Sequence, residues 1–269
     1  MTSFRLRILD GVAACLPRPL VARTYVRRRN WLRDDLSLPP SLATLHEVAQ
    51  FTALDPVEAM CRLFSHVGHA DAAELAAECT PFIGELAARS TAGDELRPRF
   101  FRMDVSSAVM LYLLVRLARP HHIVETGVAD GLSSAVILEA IRRNGEGQLT
   151  SFEVSSDVGQ LVDVNREDWR LIVLNGASIA EKQSDFQTKL RNLGPVDFFL
   201  HDSDHSYAWH AMELAEFVAA RPRYVCSDDI DASHAWVDCV MARGLKPVHL
   251  VQERKVFGAA AINDVGAEE

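Results

Sequence analysis

A buried strand that runs straight into a glycine turn and then into a helix leaves a chain few folds to choose from. Residues His121 to Ile141, HHIVETGVADGLSSAVILEAI, have that form. Ile123 and Val124 read as strand, Glu125 to Gly131 as a tight turn, and a helix opens at Ser133 and Ser134. Gly127 and Gly131 give the backbone freedom and remove side chains, so a ligand can lie against the turn. The helix that follows aims its unpaired first-turn N–H groups at that ligand. Nucleotide-binding sheets share this unit, which does not by itself name a cofactor.

From Phe100 onward the chain alternates strands with helices. The apolar helix SSAVMLYLLVRLARP leads into the strand HIVET, and AVILEAIRRNG and LTSFEV follow. DVGQLVDVNRE reads as helix, LIVLNG as strand, SDFQTKLRNLG as helix, VDFFLHD as strand, and SYAWHAMELAEFVAARP as a long helix. After the strand RYVCSD and the helix ASHAWVDCVMARG come KPVHLVQE and KVFGAAAI, separated only around Arg254. That gap is too short for a crossover helix, so these last two strands must be antiparallel. The expected fold is α/β: a Rossmann-like, mostly parallel, seven-stranded sheet with an antiparallel C-terminal hairpin and helices on both faces. Ligands of such sheets sit beyond the C-terminal strand ends.

Residues 1 to about 100 read as helical. Asp55-Pro56-Val57-Glu58 is a good helix start, with a capping Asp, Pro in the first turn and an acid three residues after the cap. Thr80-Pro81 looks like another start, and the Ala-rich HVGHADAAELAAE between them like a loose helix pair. The polar stretch 90–99 is the expected boundary between a helical region, 1–99, and a ligand-binding domain, 100–269.

Charge and cysteine narrow the class further. The net charge is −9, yet residues 1–33 hold eight Arg against Asp10 alone, so +7 sits there and −16 on the remainder. An acidic body disfavours a nucleic-acid partner. The Arg-rich start (Arg23, Arg27, Arg28, Arg29) could touch a partner subunit or an acidic membrane, or be a solvated helix face. No apolar run approaches the roughly 20 residues that span a bilayer, and no signal peptide is read at the start. Cys15, Cys61, Cys79, Cys226 and Cys239 are scattered without CxxC spacing and read as reduced thiols of a cytoplasmic protein.

Three constellations carry chemistry. The glycine turn lacks the third glycine of a dinucleotide fingerprint and places Glu125 at the strand tip, where a carboxylate suits a cationic or zwitterionic ligand such as S-adenosylmethionine. Glu153, ending LTSFEV, can accept both hydroxyls of an adenosine ribose, and Asn175 to Ser178, at the end of the third strand, could border the adenine. The third set is Asp202, Asp204 and His205 in LHDSDHSY with Asp228 and Asp229 in CSDDID, on strand ends that the topology makes neighbours. Converging carboxylates repel, and a hard cation such as Mg²⁺ relieves that; Asp202, Asp228 and Asp229 are the expected ligands, with helix capping as the rival role. His205 is a candidate general base or a hydrogen-bonded structural histidine. His201, Trp209 and Trp236 read as core.

With these motifs on the page, the chain resembles the class I S-adenosylmethionine-dependent methyltransferases. The likeness is closest to the small-molecule O-methyltransferase group that includes macrolide-sugar methyltransferases and proteins named for cephalosporin hydroxylation. VETGVADGLSS is similar to that group's first motif, FEV to its second and FFLHDSDHSY to its fourth-strand motif, across about residues 100–265. Ala129 departs from a glycine common in the superfamily, and His201 and Ser203 depart from the usual Ile and Gly.

The resemblance implies a cofactor lying against Glu125, Thr126, Gly127, Ala129, Gly131 and Ser133, with Glu153 on its ribose and Ser178 nearby. It implies Mg²⁺ on Asp202, Asp228 and Asp229. The implied reaction is in-line displacement: a hydroxyl of a small sugar, phenol or natural product, oriented and acidified by the metal and aligned in one cleft, attacks the sulfonium methyl, with His205 or Asp202 as base. The helical first third would supply a lid, the substrate pocket and a homo-oligomer contact. A nicotinamide-dependent oxidoreductase on the same kind of sheet, or a non-catalytic cofactor-binding assembly partner, are the alternatives.

Overall fold

The computed structural model describes residues 39–92, 103–251 and 255–262. The Arg-rich start and most of the expected boundary at 90–99 lie outside the described residues. In chain order the elements are α1 (Leu42–Val48), β1 (Phe51–Ala53), α2 (Pro56–Leu63), α3 (His69–Ala92), α4 (Val105–Ala118), β2 (His122–Thr126), α5 (Leu132–Asn144), β3 (Gln148–Glu153), β4 (Trp169–Val173), α6 (Ile179–Arg191), β5 (Phe198–His201), α7 (Tyr207–Ala219), β6 (Tyr224–Ser227), α8 (Ala235–Arg243), β7 (Val248–Val251) and β8 (Val256–Ala261).

The sheet order is β1-β7-β8-β6-β5-β2-β3-β4. Only β8 runs antiparallel, between β6 and β7; the other pairings are parallel. The expected mostly parallel sheet with a reversed hairpin is therefore present, with eight strands rather than seven. The extra strand, β1, comes from the region read as helical and pairs Phe51 with Val248 and Ala53 with Leu250. Three residues are too few for alternation to show in sequence.

Alternation along the central strands sorts side chains into two layers, because successive strand residues point to opposite faces. Ile123, Leu149, Phe198, Leu200 and Cys226 join one core with Met60, Ile83, Met110, Leu114 and Ile137 of α2 to α5. Val124, Phe152, Phe199 and Val225 join the other with Phe186, Leu214, Phe217 and Trp236 of α6 to α8. Phe199 and Phe217 stack with centroids 4.2 Å apart, and burying each such ring is worth about 1.5–3 kcal/mol. The sorting matters for the polar residues too. Glu125 pairs in register with Ser151, and Glu153 lies two residues further along β3, so all three share the α5 face. Thr126 and His201, with Ser227 beside them on β6, share the α7 face.

Two local expectations are corrected. Asp55 does cap α2, accepting from Val57 N and Glu58 N at 2.8 and 3.3 Å, but Pro81 lies inside α3 and starts no helix. The helix persists because Cys79, Ile83 and Leu86 continue one buried stripe past the proline, and Thr80 Oγ1 donates to Ala76 O at 2.6 Å beside it. The segment DVGQLVDVNRE forms turns, not a helix. Gly159 there is left-handed, φ +75°, and its N–H donates to Ala129 O while Leu161 N donates to Asp130 O, both at 2.9 Å. Amides that would close helical turns brace the glycine turn instead.

Candidate active site

The turn after β2 is held by contacts that only glycine permits. Gly127 has φ +82°, and a Cβ there would lie 2.1 Å from the carbonyl oxygen of Asp202. Gly131, φ +93°, would meet Gly159 Cα at 2.9 Å. Ala129 is left-handed as well, φ +48°, a conformation an L-residue holds only at a cost; this is where a glycine is common in the resembling superfamily. The turn thus rests directly on the backbone of Asp202, joining the expected cofactor region to the acidic cluster.

Glu125 is fully buried beneath α5. Ser134 donates to its Oε1, Ser151 donates to the same oxygen at 2.6 Å, and Trp169 Nε1 donates to Ser151 at 2.8 Å. Oε2 has no hydrogen-bond partner among the described residues. Burial raises the carboxyl to about 7, against the lowering by Ser134, Ser151 and Ser133. The sequence reading places Glu125 in the cleft; the structure sets it under the turn. Ser133 is buried beside it. Glu153 stands at the rim, its Oε2 accepting from Val128 N at 3.0 Å and Ala129 N at 3.4 Å and its Oε1 from Val154 N at 2.6 Å. Carboxylate oxygens carry two lone pairs each, so one acceptor position remains, on Oε1, for a ribose hydroxyl.

Two expected cofactor contacts are otherwise engaged. Thr126 points to the opposite face and donates to Glu213 Oε2 at 2.6 Å. Ser178 is exposed beyond β4, two strands from β2, and caps α6 in a capping box with Glu181.

Across the sheet, the carboxylates of Asp202, Asp228 and Asp229 do converge. His201 and Ser227 are register partners, so Asp202 and Asp228 follow on adjacent strand tips. Burial, then the neighbouring Asp228, hold the Asp202 carboxyl well above the usual carboxylate range. Asp228 is also raised by burial, with Lys255 opposing. Asp229 has φ +49°, which turns its side chain inward. Sequence reasoning missed the fourth member. The Lys255 ammonium stands 3.0 Å from Asp228 Oδ2 and 2.9 Å from Asp229 Oδ2. The donor set is chemically what Mg²⁺ favours, but a cation already stands within hydrogen-bonding distance of two of the three carboxylates. With Lys255 in that position, these residues do not fit a divalent ion. Asp204 accepts from Ser206 N at 2.9 Å, in the turn that leads into α7, whose N-cap is Ser206.

Behind the acids lies a buried relay that no motif announced. Glu213, 1% exposed, accepts from Thr126, from Ser203 at 3.0 Å, from Trp209 Nε1 at 2.5 Å and from His201 Nδ1 at 2.5 Å. His201 Nε2 meets His205 Nδ1 at 3.2 Å, and His205 Nε2 faces Asp229 Oδ2 at 3.5 Å and Asp202 Oδ1 at 3.8 Å. His201 also stacks on His210, centroids 3.8 Å apart, and His210 Nε2 pairs with Ser227 Oγ at 3.0 Å. Nitrogens of His201, His205 and His210 lie within 4.8 Å of one another, but these hydrogen bonds already engage them. His201 and Trp209 are buried, as is Trp236, whose Nε1 donates to His249 Nε2 at 2.9 Å.

A family model described as a methyltransferase domain matches residues 124–225, from within β2 to within β6. The chain carries a methyltransferase domain over those residues. The match takes in the glycine turn, Glu153, Asp202 and His205, and it sets the oxidoreductase alternative aside. No curated protein matches the chain. Among solved structures, the methyltransferase domain and its flanks resemble the SAH-bound methyltransferase PaMTH1 of Podospora anserina, at 14% identity over 85% of this chain and 99% of that one, TM-score 0.48. They also resemble the O-methyltransferase of Bacillus cereus in complex with SAH, at 14% over 80% and 99%, TM-score 0.46. A third likeness is to MycE of the mycinamycin biosynthetic pathway in complex with Mg and SAH, at 16% over 70% and 56%, TM-score 0.44. No helix among the described residues is long and apolar enough to cross a membrane.

Proposed function

We propose that this methyltransferase acts on a hydroxyl oxygen of a small metabolite, with His205 receiving the hydroxyl proton. One observation supports this most: Gly127 packs on the backbone of Asp202, so the donor-binding turn and the acid–histidine cluster border one cleft. When bound, S-adenosylmethionine supplies an electrophilic methyl on a sulfonium. The chain's residues do the rest. The turn from Gly127 to Gly131 leaves backbone exposed for the donor, and Glu153 offers its remaining lone pair to a ribose hydroxyl.

The Glu213 relay orients His205 through His201: Glu213 accepts from His201 Nδ1–H, and His201 Nε2 and His205 Nδ1 share one hydrogen bond. In the tautomer that carries its proton on Nδ1, His205 has its lone pair on Nε2, the nitrogen that faces the acids. Burial, then His201, lowers the His205 pKa to about 3, so the ring is neutral across the working pH range. A proton arriving at Nε2 is countered by Asp229 on one side and, through His201, by Glu213 on the other. A base with so low a pKa realises only part of the about 10²–10⁴-fold that general-base assistance contributes at its best.

The helical first third is assigned the substrate pocket and lid: α2 and α3 pack with α4 and α5 in one core, and α5 is the helix that follows the glycine turn. Cys61, Cys79, Cys226 and Cys239 are all free thiols, which supports a reducing, cytoplasmic setting. The test is calorimetry of the full chain with S-adenosylhomocysteine. Binding is expected, and Glu153→Ala should weaken it about 10–100-fold, the loss of charge-assisted hydrogen bonds. No heat at millimolar ligand would sink the reading.

A further inference from the structure

The acidic trio holds a cation supplied from within the chain. Lys255 is 4% exposed and Asp228 fully buried, so this is an interior ion pair rather than a passing surface contact. Its backbone is pinned as well. Val256 N donates to Asp231 Oδ1 at 3.2 Å, and Ile230 N donates to Val256 O at 3.0 Å, which stitches the start of β8 onto the segment carrying Asp228 and Asp229. A buried ammonium without partners is costly, so once placed here it stays with its carboxylates. A divalent ion on the same oxygens would meet that ammonium at contact distance, and like charges there repel.

We propose that Lys255 is the resident cation of this cleft, holding the place between Asp228 and Asp229 that a divalent metal would otherwise take, so that the site works metal-free. Its Nζ lies 3.0 Å from Asp228 Oδ2 and 2.9 Å from Asp229 Oδ2, the spacing of a charge-assisted pair with each. The ammonium supplies what a metal would supply electrostatically, a positive charge beside the oxygen that loses its proton. It supplies no vacant coordination positions. Asp228 Oδ1, buried without a hydrogen-bond partner among the described residues, is then the oxygen that a cation would recruit once Lys255 is removed.

The inference rests on reading this cleft as the reaction site, yet its test needs no turnover. Full-length protein is titrated with Mn²⁺ and the free-ion signal is read by electron paramagnetic resonance. The wild type should bind no tighter than about a millimolar. Lys255→Ala should gain a site at least about tenfold tighter, and adding Asp228→Asn to it should remove that site. Lys255→Gln, which keeps the length and a donor to the carboxylates, is the companion if the alanine variant does not fold, and it should gain Mn²⁺ affinity in the same direction. Micromolar Mn²⁺ binding by the wild type, lost in Asp228→Asn, overturns the proposal, as does a folded Lys255 variant that gains no affinity. Retention of S-adenosylhomocysteine binding by the wild type in the same preparation separates these outcomes from failure of the methyltransferase reading.

Discussion

Glu125 and Glu213 are both fully buried carboxylates, one on each face of the central strands, and they are treated in opposite ways. Glu213 accepts from four side chains, Thr126, Ser203, Trp209 and His201. Glu125 accepts on one oxygen from Ser134 and Ser151 and leaves the other unpartnered. A buried carboxylate short of donors drifts towards the neutral acid, as Glu125 does. The α7 face carries a fully hydrogen-bonded carboxylate that orients a histidine relay. The α5 face carries a group that titrates near neutrality underneath the cofactor turn.

Removing the satisfied carboxylate should cost most. Glu213→Ala removes the acceptor of Thr126 and His201 and one acceptor of Trp209 and Ser203, and about 3–5 kcal/mol of stability should be lost, a fall in Tm of roughly 6–20 °C for a chain this size. A melting curve that barely moves would mean the relay is not the fixed anchor described.

Glu125 should show its difference through pH. Its folded-state carboxyl sits at about 7 against an ordinary 4.5, so the folded state binds the extra proton. The contribution is fully present below pH 4.5 and is lost as pH rises through 7. Over that window the wild type should lose on the order of 3 kcal/mol relative to Glu125→Gln, which stays neutral throughout. Melting temperatures of both proteins from pH 5 to 8 should diverge; parallel curves would show that Glu125 is ionised or solvated.

Gly127→Ala probes the seam between the two faces. With φ +82° and a Cβ 2.1 Å from Asp202 O, the strain alone should cost about 1–3 kcal/mol, and S-adenosylhomocysteine binding should fall with it in calorimetry. The smallest effect is expected at Ser178→Ala. It removes the α6 cap and should cost about 1 kcal/mol, while cofactor affinity stays as in the wild type. A drop in affinity there would restore Ser178 to the cofactor site.

What could be read in the residues was mostly local. Strand and helix alternation, the antiparallel end forced by the short gap at Arg254, and the glycine turn are consequences of chain period and turn chemistry, which act over a few residues. The convergence of Asp202, Asp228 and Asp229 was legible because strand order makes their ends neighbours. Asp55 was legible as a cap because capping is a contact across three residues. The failures have one physical cause. The turns at residues 157–167 and the continuation of α3 through Pro81 were decided by contacts with distant elements, which outweigh local propensity.

The same division runs through the chemistry. The sequence by itself determined the sheet, the turn and the acidic strand tips, because periodicity, glycine freedom and strand register depend on near neighbours. Only the tertiary structure decided that Lys255 would pair with Asp228 and Asp229, that Glu213 would gather His201 and Thr126, and that Glu125 would lie under the turn. Each of those pairings joins residues far apart in the chain, and whether a buried charge meets its partner depends on the packing that brings them together.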